Sequence, residues 1–415
     1  MREMKDSGIS WVGEIPKEWS VNRAKYCFVN TKEIAGCMSD RYERLALTMN
    51  GVIKRSKDDS NGLQPEKFET YQILRPDELV FKLIDLQNVS TSRVGLSPYL
   101  GLVSPAYIIL KSNKRVLPAF AEKYFLMLWK NQIFNALGDA GVRSNLNSKD
   151  LLELSIPFPT FDEQQQIADF LDRECGKIDG LKADIQAQID TLEQYKRSVI
   201  TEAVTHGLNP SAPMKDSGIP WVGKTPEYWK VGRIGGLYEL RNQKVSDKDF
   251  MPLSVTMKGI LPQLETAAKT NDGDNRKLVR VGDFAINSRS DRRGSCGISD
   301  YDGSVSLINT ILKPRNRMNA KYYNWLFHTP MFADEFYKWG HGIVDDLWTT
   351  NWSEMKRISI PLPPLDEQQE IADYLDNKCA EIEQIITDKK TQIEMLDGYK
   401  KSLIYEYVTG KKEVV

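Results

Sequence analysis

Apolar positions step by three and four along two stretches of this chain, 162–204 and 366–408. In the first, the steps fall on Ile178, Leu181, Ile185, Gln188, Leu192, Tyr195 and Val199. In the second, they fall on Ile382, Ile385, Lys389, Gln392, Leu396, Tyr399 and Leu403. Alternating spacings of this kind mark a narrow coiled-coil seam rather than a wide core-facing stripe. No proline interrupts either stretch, so each predicts one helix of about 40 residues, roughly 60 Å long at 1.5 Å per residue. Asp162 and Asp366 are expected as N-caps, each followed by a Glu that suits the positive end of a helix. A proline-flanked strand precedes each helix, at 156–159 and 360–363. So narrow a stripe needs a partner, and the other copy, packed antiparallel, is the nearest candidate.

The repeat is wider than the helices. KDSGISWVGEIPKEW at 5–19 returns as KDSGIPWVGKTPEYW at 215–229. Its glycines and prolines predict a turn-rich clasp, and its tryptophans are large apolar anchors. A region follows each clasp, 20–155 and 230–359, with the pattern of a small α/β domain. The first has strand-like runs at 78–84 and 106–110 and a helix over 119–137; the second has runs at 283–287 and 305–312 and a helix over 320–338. RPDELVFKLID matches VRVGDFAINSR in layout, and LVSPAYIILK matches SVSLINTILK, while the loops diverge. The repeat interval of about 200 residues is far longer than that of a solenoid, so an internal duplication fits better. The fold expected is α+β: two globular domains, two long helices and an internal pseudo-two-fold axis.

Composition narrows the function. Lys and Arg number 56 against 57 Asp and Glu, so any surface for nucleic acid must be local. Five cysteines without a C-x-x-C pair predict a reducing compartment, and Cys175 and Cys379 occupy equivalent places in the repeated helix. Three scattered histidines leave little for a zinc site or a histidine-based nuclease. No apolar run approaches ~18 residues, so no membrane span is expected, and the first residues do not form a signal peptide.

Candidate contacts to DNA lie in the diverged loops. In the second variable region they are Arg276, Lys277, Asn287, Arg289, Arg292 and Arg293, where arginine suits phosphate and guanine, asparagine suits adenine, and glycine admits close backbone approach. In the first they are Lys54, Arg55 and Lys57, then Arg93, then Arg143 and Asn145. A solvated loop is the alternative for each run, and Asn145 or Asn147 could instead cap the following helix. Trp348, His341 and Lys338 are expected to be structural. One string, GIPWVGKT at 218–225, fits G-x-x-x-x-G-K-[ST], but it is part of the second clasp, whose first copy reads GISWVGEI, and not a strand-to-helix phosphate loop. There is no Asn- or Asp-Pro-Pro-aromatic tetrapeptide of an amino-methyltransferase and no glycine-rich S-adenosylmethionine loop. Asp77, Glu78 and Lys82 are spaced too loosely for a nuclease metal site, and a strand-entry turn explains them better. The repeated DEQQ is expected to cap and pack.

These residues carry a resemblance. Two clasps, two variable regions and two copies of P-x-P-x-x-DEQQ-x-IADFLD or IADYLD, each ending in YK-x-S-x-I-x-E-x-V, resemble the specificity (S) subunit of a type I restriction-modification system. The resemblance covers essentially the whole chain. It implies a non-catalytic, cytoplasmic subunit that binds double-stranded DNA at a bipartite asymmetric site, with one half-site per target recognition domain. The first clasp and domain would span 1–155, the central strand and helix 156–212, the second clasp and domain 213–359, and the last strand and helix 360–415. Implied partners are two modification subunits, which methylate adenine N6 with S-adenosylmethionine, and restriction subunits, which use ATP and Mg2+. No cofactor is expected in this chain. A coiled-coil scaffold without DNA specificity is the rival from another class, and a lone methyltransferase or nuclease the third.

Overall fold

The computed structural model describes residues 2–59, 67–86, 91–137, 145–263, 273–289, 292–315, 318–342 and 348–414. The chain divides into two compact units, Met1–Ile185 with Lys390–Val415, and Gln186–Lys389. Each boundary falls inside a long helix.

In the first unit the clasp is a two-stranded hairpin, Met4–Asp6 against Glu14–Pro16. The strand after it, Ser20–Arg23, pairs with the proline-flanked strand Ser155–Phe158 and so brings the two ends of the variable region together. Between them, among the described residues, lie two four-stranded sheets. One runs in the order Phe28–Thr31, Ile108–Ser112, Leu79–Phe81, Val94–Leu96; the other Gly51–Arg55, Arg44–Thr48, Gly101–Val103, Gln72–Leu74. The helix Pro118–Lys130 begins with proline, whose fixed φ suits that place, and buries Phe120, Ala121, Tyr124, Phe125 and Leu128 on one face.

The second unit repeats this plan with its own clasp, Met214–Asp216 against Lys224–Pro226, and its own closing pair, Lys230–Arg233 against Ser359–Leu362. Its four-stranded sheet has the order Tyr238–Leu240, Asn309–Pro314, Phe284–Asn287, Cys296–Ile298. Its second layer is split into a three-stranded sheet and the hairpin Leu253–Thr256 with Gly259–Pro262.

Three expectations change within the variable regions. The helix expected over 119–137 is two helices, Pro118–Lys130 and Ile133–Leu137, because Gln132 adopts φ 59° and ends the first. The helix expected over 320–338 breaks likewise into Ala320–Phe327 and Pro330–Lys338, where Thr329 caps the second through Phe332 N–H. The run 305–312 is not one strand: Gly303–Val305 and Asn309–Pro314 belong to different sheets.

The long helices are Phe161–His206 and Leu365–Val408, of 46 and 44 residues. Neither Asp162 nor Asp366 is the N-cap, since each helix starts one residue earlier. Thr160 precedes the first helix and forms a reciprocal box with Glu163: its hydroxyl accepts from Glu163 N–H at 3.3 Å, and the Glu163 carboxylate accepts from Thr160 N–H at 3.1 Å.

The expected seam is also corrected. Ile178, Val199, Ile382 and Leu403 are buried, but Leu181 is 53% exposed, Tyr399 57%, and Tyr195 and Ile385 nearly half. The apolar residues that line the inner face recur every eleven positions: Ile178, Ile189 and Ile200 in one helix, Ile382, Ile393 and Ile404 in the other. Eleven residues make three turns at 3.67 residues each, so this stripe follows a nearly straight helix, whereas a strict seven-residue seam drifts around it.

The helices pair antiparallel within each unit. In the first, Lys182 meets Asp397 and Lys400 meets Asp179 at 2.6 Å. In the second, Lys196 pairs with Glu383, and Lys389 donates to Gln188. Among the described residues no helix is long and apolar enough to cross a membrane.

Candidate nucleic-acid interface

The clasp, the variable region and the helix start are tied by the DEQQ motif. Gln164 accepts from Leu117 N–H at 2.7 Å and donates to Pro159 O; Gln368 accepts from Asn319 N–H at 2.9 Å and donates to Pro363 O. Glu163 accepts from the Trp19 indole at 3.3 Å, and Glu367 from the Trp229 indole at 2.8 Å. These carboxylates and amides are engaged in packing, so the motif is structural.

On this frame both units present a similar constellation: a strand hairpin from the four-stranded sheet, with the segment after the second short helix laid against it. In the first unit the hairpin is Leu79–Phe81 with Val94–Leu96. Arg93 is fully buried and donates to Asp85 O, while Asn145 accepts from Asp85 N–H at 3.2 Å. Leu146 N–H donates to Leu83 O at 3.0 Å. The structure thus brings Arg93 and Asn145 together at Asp85, although 52 residues separate them. Asn147, not Asn145, caps the helix Ser148–Glu153. Arg143 lies outside the described residues.

In the second unit the hairpin is Phe284–Asn287 with Cys296–Ile298. Asn287 is buried, and its side-chain oxygen accepts from Arg289 N–H at 3.0 Å. Arg289 forms an isolated antiparallel bridge with Thr349, and its carbonyl accepts from the Tyr337 hydroxyl at 2.9 Å. Arg293 pairs with Asp334 at 3.0 Å and lies over the Tyr337 ring; Arg292 is exposed beside it. Trp348 donates to Tyr337 O at 2.8 Å, a structural role.

The remaining candidates lie elsewhere. Lys54 sits on the neighbouring sheet, paired with Glu43 at 2.6 Å, and that hydrogen bond and charge raise its pKa. Arg55 pairs with Asp59 at 2.9 Å, and Lys57 donates to Ser39 O at 2.8 Å. Arg276 is 3% exposed and bonds the Ser304 hydroxyl and carbonyl, each at 2.9 Å, so its guanidinium is spent inside the fold. Lys277 donates to Asn309 O at 2.7 Å, and burial pushes its pKa down. Both lie on the strand Arg276–Val279, where a basic run in sequence becomes an interior ladder.

Asp77, Glu78 and Lys82 flank the strand Leu79–Phe81. Asp77 adopts φ 63° in a tight turn, and Glu78 accepts from Arg75 N–H at 2.9 Å. Gly282 at φ 85° and Asp283, which accepts from Arg280 N–H, build the same turn in the second unit. The two acids are turn residues, as expected. Lys82 is different, because it stands at the hairpin beside Arg93.

A family model described as Type I restriction modification DNA specificity domain matches residues 84–191 and 226–395, more than half of the chain. The chain is 23% identical to the type I restriction enzyme MjaX specificity subunit of Methanocaldococcus jannaschii, over 97% of this chain and 96% of that protein. It is 22% identical to the MjaVIII specificity subunit of the same organism, over 76% and 75%. Among solved structures it resembles a chain from work on complex assembly and conformational transition of the type I R-M system, with a TM-score of 0.70, 12% identity, and 96% and 99% coverage. It also resembles the HsdS subunit of Thermoanaerobacter tengcongensis, with a TM-score of 0.50, 14% identity, and 96% and 98% coverage. The chain belongs to the type I restriction-modification DNA specificity family, as a specificity subunit with two DNA recognition domains.

Proposed function

We propose that this subunit reads a bipartite asymmetric DNA site, one half per unit, and directs adenine N6-methylation or restriction by partner subunits. The observation that carries the reading is the repeated hairpin constellation. The same backbone frame holds Lys82 and Asn145 in one unit and Asn287, Arg289 and Arg292 in the other. A shared frame with different polar side chains is what two readers of different sequences require.

The chain itself contributes recognition and no catalysis in this reading. S-adenosylmethionine, ATP and Mg2+ act in the modification and restriction subunits, and the assembly works in the cytoplasm. The long helices set the unread gap between half-sites whose centres lie about one turn of B-DNA apart, ~10 bp. Their exposed apolar side chains, Leu181, Met395 and Tyr399 in the first unit and Tyr195 and Ile385 in the second, are where the modification subunits dock. Such a surface on an otherwise charged helix favours a protein partner.

Exchange of residues 20–155 for the corresponding region of another specificity subunit tests the reading. Mapping the methylated sequence should show one half-site replaced and the other retained. A change in both halves contradicts domain-autonomous recognition.

A further inference from the structure

We propose that Lys82, with the Thr91 hydroxyl beside it, binds a backbone phosphate of the DNA. The inference rests on reading the first unit as a DNA recognition domain. Lys82 follows the strand Leu79–Phe81, and its N–H donates to Arg93 O at 3.0 Å, so its backbone is fixed by the hairpin ladder. Its ammonium is half-buried and, among the described residues, reaches only the Thr91 hydroxyl, at 3.4 Å. That is a long contact to a neutral oxygen.

Other lysines of this unit are treated differently. Lys54 has Glu43, Lys57 has Asp40, and Lys123 has both Glu122 and Asp172. Among the described residues Lys82 makes no ion pair. Asp85 acts on it favourably from a distance, while its backbone carbonyl and N–H serve Arg93 and Asn145. Beside Lys82 lies the fully buried Arg93 guanidinium. Burial, and then the Arg93 charge, push the Lys82 pKa down. A half-desolvated cation next to a like charge is unfavourable for the free fold, and an anion placed on it relieves both terms.

The ligand chemistry follows from the donors. An ammonium and a rotatable hydroxyl offer point-like donation that suits a phosphate oxygen. Bidentate reading of a base edge calls for the planar fork of arginine or the amide of asparagine. Arg93 is too deep to touch DNA and acts as a positioning residue, holding Asp85 and the closing segment. In the second unit the place of Lys82 is taken by Asn287, whose side-chain oxygen is committed to Arg289 N–H. The contact is therefore specific to the first unit.

The test uses the assembled methyltransferase complex and its own DNA target, with binding measured between 50 and 200 mM salt. Loss of one phosphate contact should make the slope of log K against log salt shallower by about 0.9. The affinity deficit of Lys82→Met should therefore shrink about threefold across that range. The methylated sequence should not change, and the variant should melt no lower than wild type, because a poorly solvated charge has been removed. Lys82→Arg should restore the slope, and Thr91→Ala should weaken binding less than Lys82→Met. If Lys82→Met folds poorly, Lys82→Gln gives the same readout. An unchanged slope overturns the proposal while leaving DNA recognition standing, and an altered methylated sequence overturns it in favour of a base contact. Absence of sequence-specific binding by the wild-type complex overturns the underlying reading as well.

Discussion

The Trp229 indole donates to the Glu367 carboxylate at 2.8 Å, joining the second clasp to the first turn of the second long helix across 138 residues of sequence. The Tyr228 hydroxyl donates to the same carboxylate at 3.0 Å. Hydrogen bonds to a charged partner contribute about 1.5–3 kcal/mol. Glu367→Ala should destabilise the second unit by that order. Hydrogen exchange should show residues 214–229 opening earlier, with little change in the clasp of the first unit. Equal loosening of both clasps would contradict a local tie.

The equivalent carboxylate of the first unit gives a pH dependence. Burial opposes the Glu163 charge, but hydrogen bonds from Arg2, Thr160 and Trp19 outweigh it and hold the carboxyl below its ordinary value of 4.5. A depressed folded pKa means that the carboxylate contributes stability above about pH 4.5, and this is lost as pH falls through the lower folded value. Tryptophan fluorescence should report the first clasp loosening in that acid range, and Glu163→Gln should flatten the transition.

Packing, not surface charge, should dominate the helix pairing. The Lys400–Asp179 and Lys182–Asp397 pairs are partly exposed, and such pairs contribute about 0.2–1 kcal/mol each. Leu171 is fully buried, and Leu171→Ala should lose about 2–5 kcal/mol. Thermal denaturation of Leu171→Ala, set beside a double-mutant cycle on Asp179 and Lys400, checks the ranking. A charge coupling larger than the leucine loss would reverse it.

The chain's C-terminal end closes its N-terminal clasp. Lys411 donates to Val12 O and Glu14 O, each at 3.0 Å, and Tyr405 to Val12 O at 3.2 Å. Gly410, at φ 70°, packs where a Cβ would collide with Pro16 and Trp19. Gly410→Ala should lower the melting temperature, and deletion of 409–415 should expose Trp19 to quenching. A stable truncation with protected Trp19 would show that the clasp stands without this end.

Much of the fold was legible because duplication prints each element twice. The clasps, the proline-flanked strands and the long helices all recur in the structure as read. The break at Pro330 carries a signal, threonine before proline, whereas Gln132, at φ 59°, gives none, since glutamine is not among the residues that favour the left-handed region. The seam is ambiguous in sequence because three-and-four steps fit a seven-residue repeat as easily as an eleven-residue one over a short window. The recurrence of Ile178, Ile189 and Ile200 at Ile382, Ile393 and Ile404 was the better sign. The site was less legible. Arg276 looked like part of a basic loop until strand pairing turned it inward, and the meeting of Arg93 with Asn145 depends on a tertiary contact through Asp85. In sequence Lys82 stands near Asp77 and Glu78, whereas in the fold its neighbours are Thr91 and Arg93.

Insertion of whole helical turns into 162–204, matched in 366–408, should lengthen the unread gap while preserving both half-sites. Methylated-sequence mapping reads this directly, and an unchanged gap would remove the helices from the role of ruler.

The most direct measurement is single-molecule sequencing of host DNA with and without this gene, mapping N6-methyladenine. Loss on deletion of one two-part motif interrupted by a fixed gap is the result predicted. No change in any motif, with the partner methyltransferase expressed, would contradict sequence recognition by this chain.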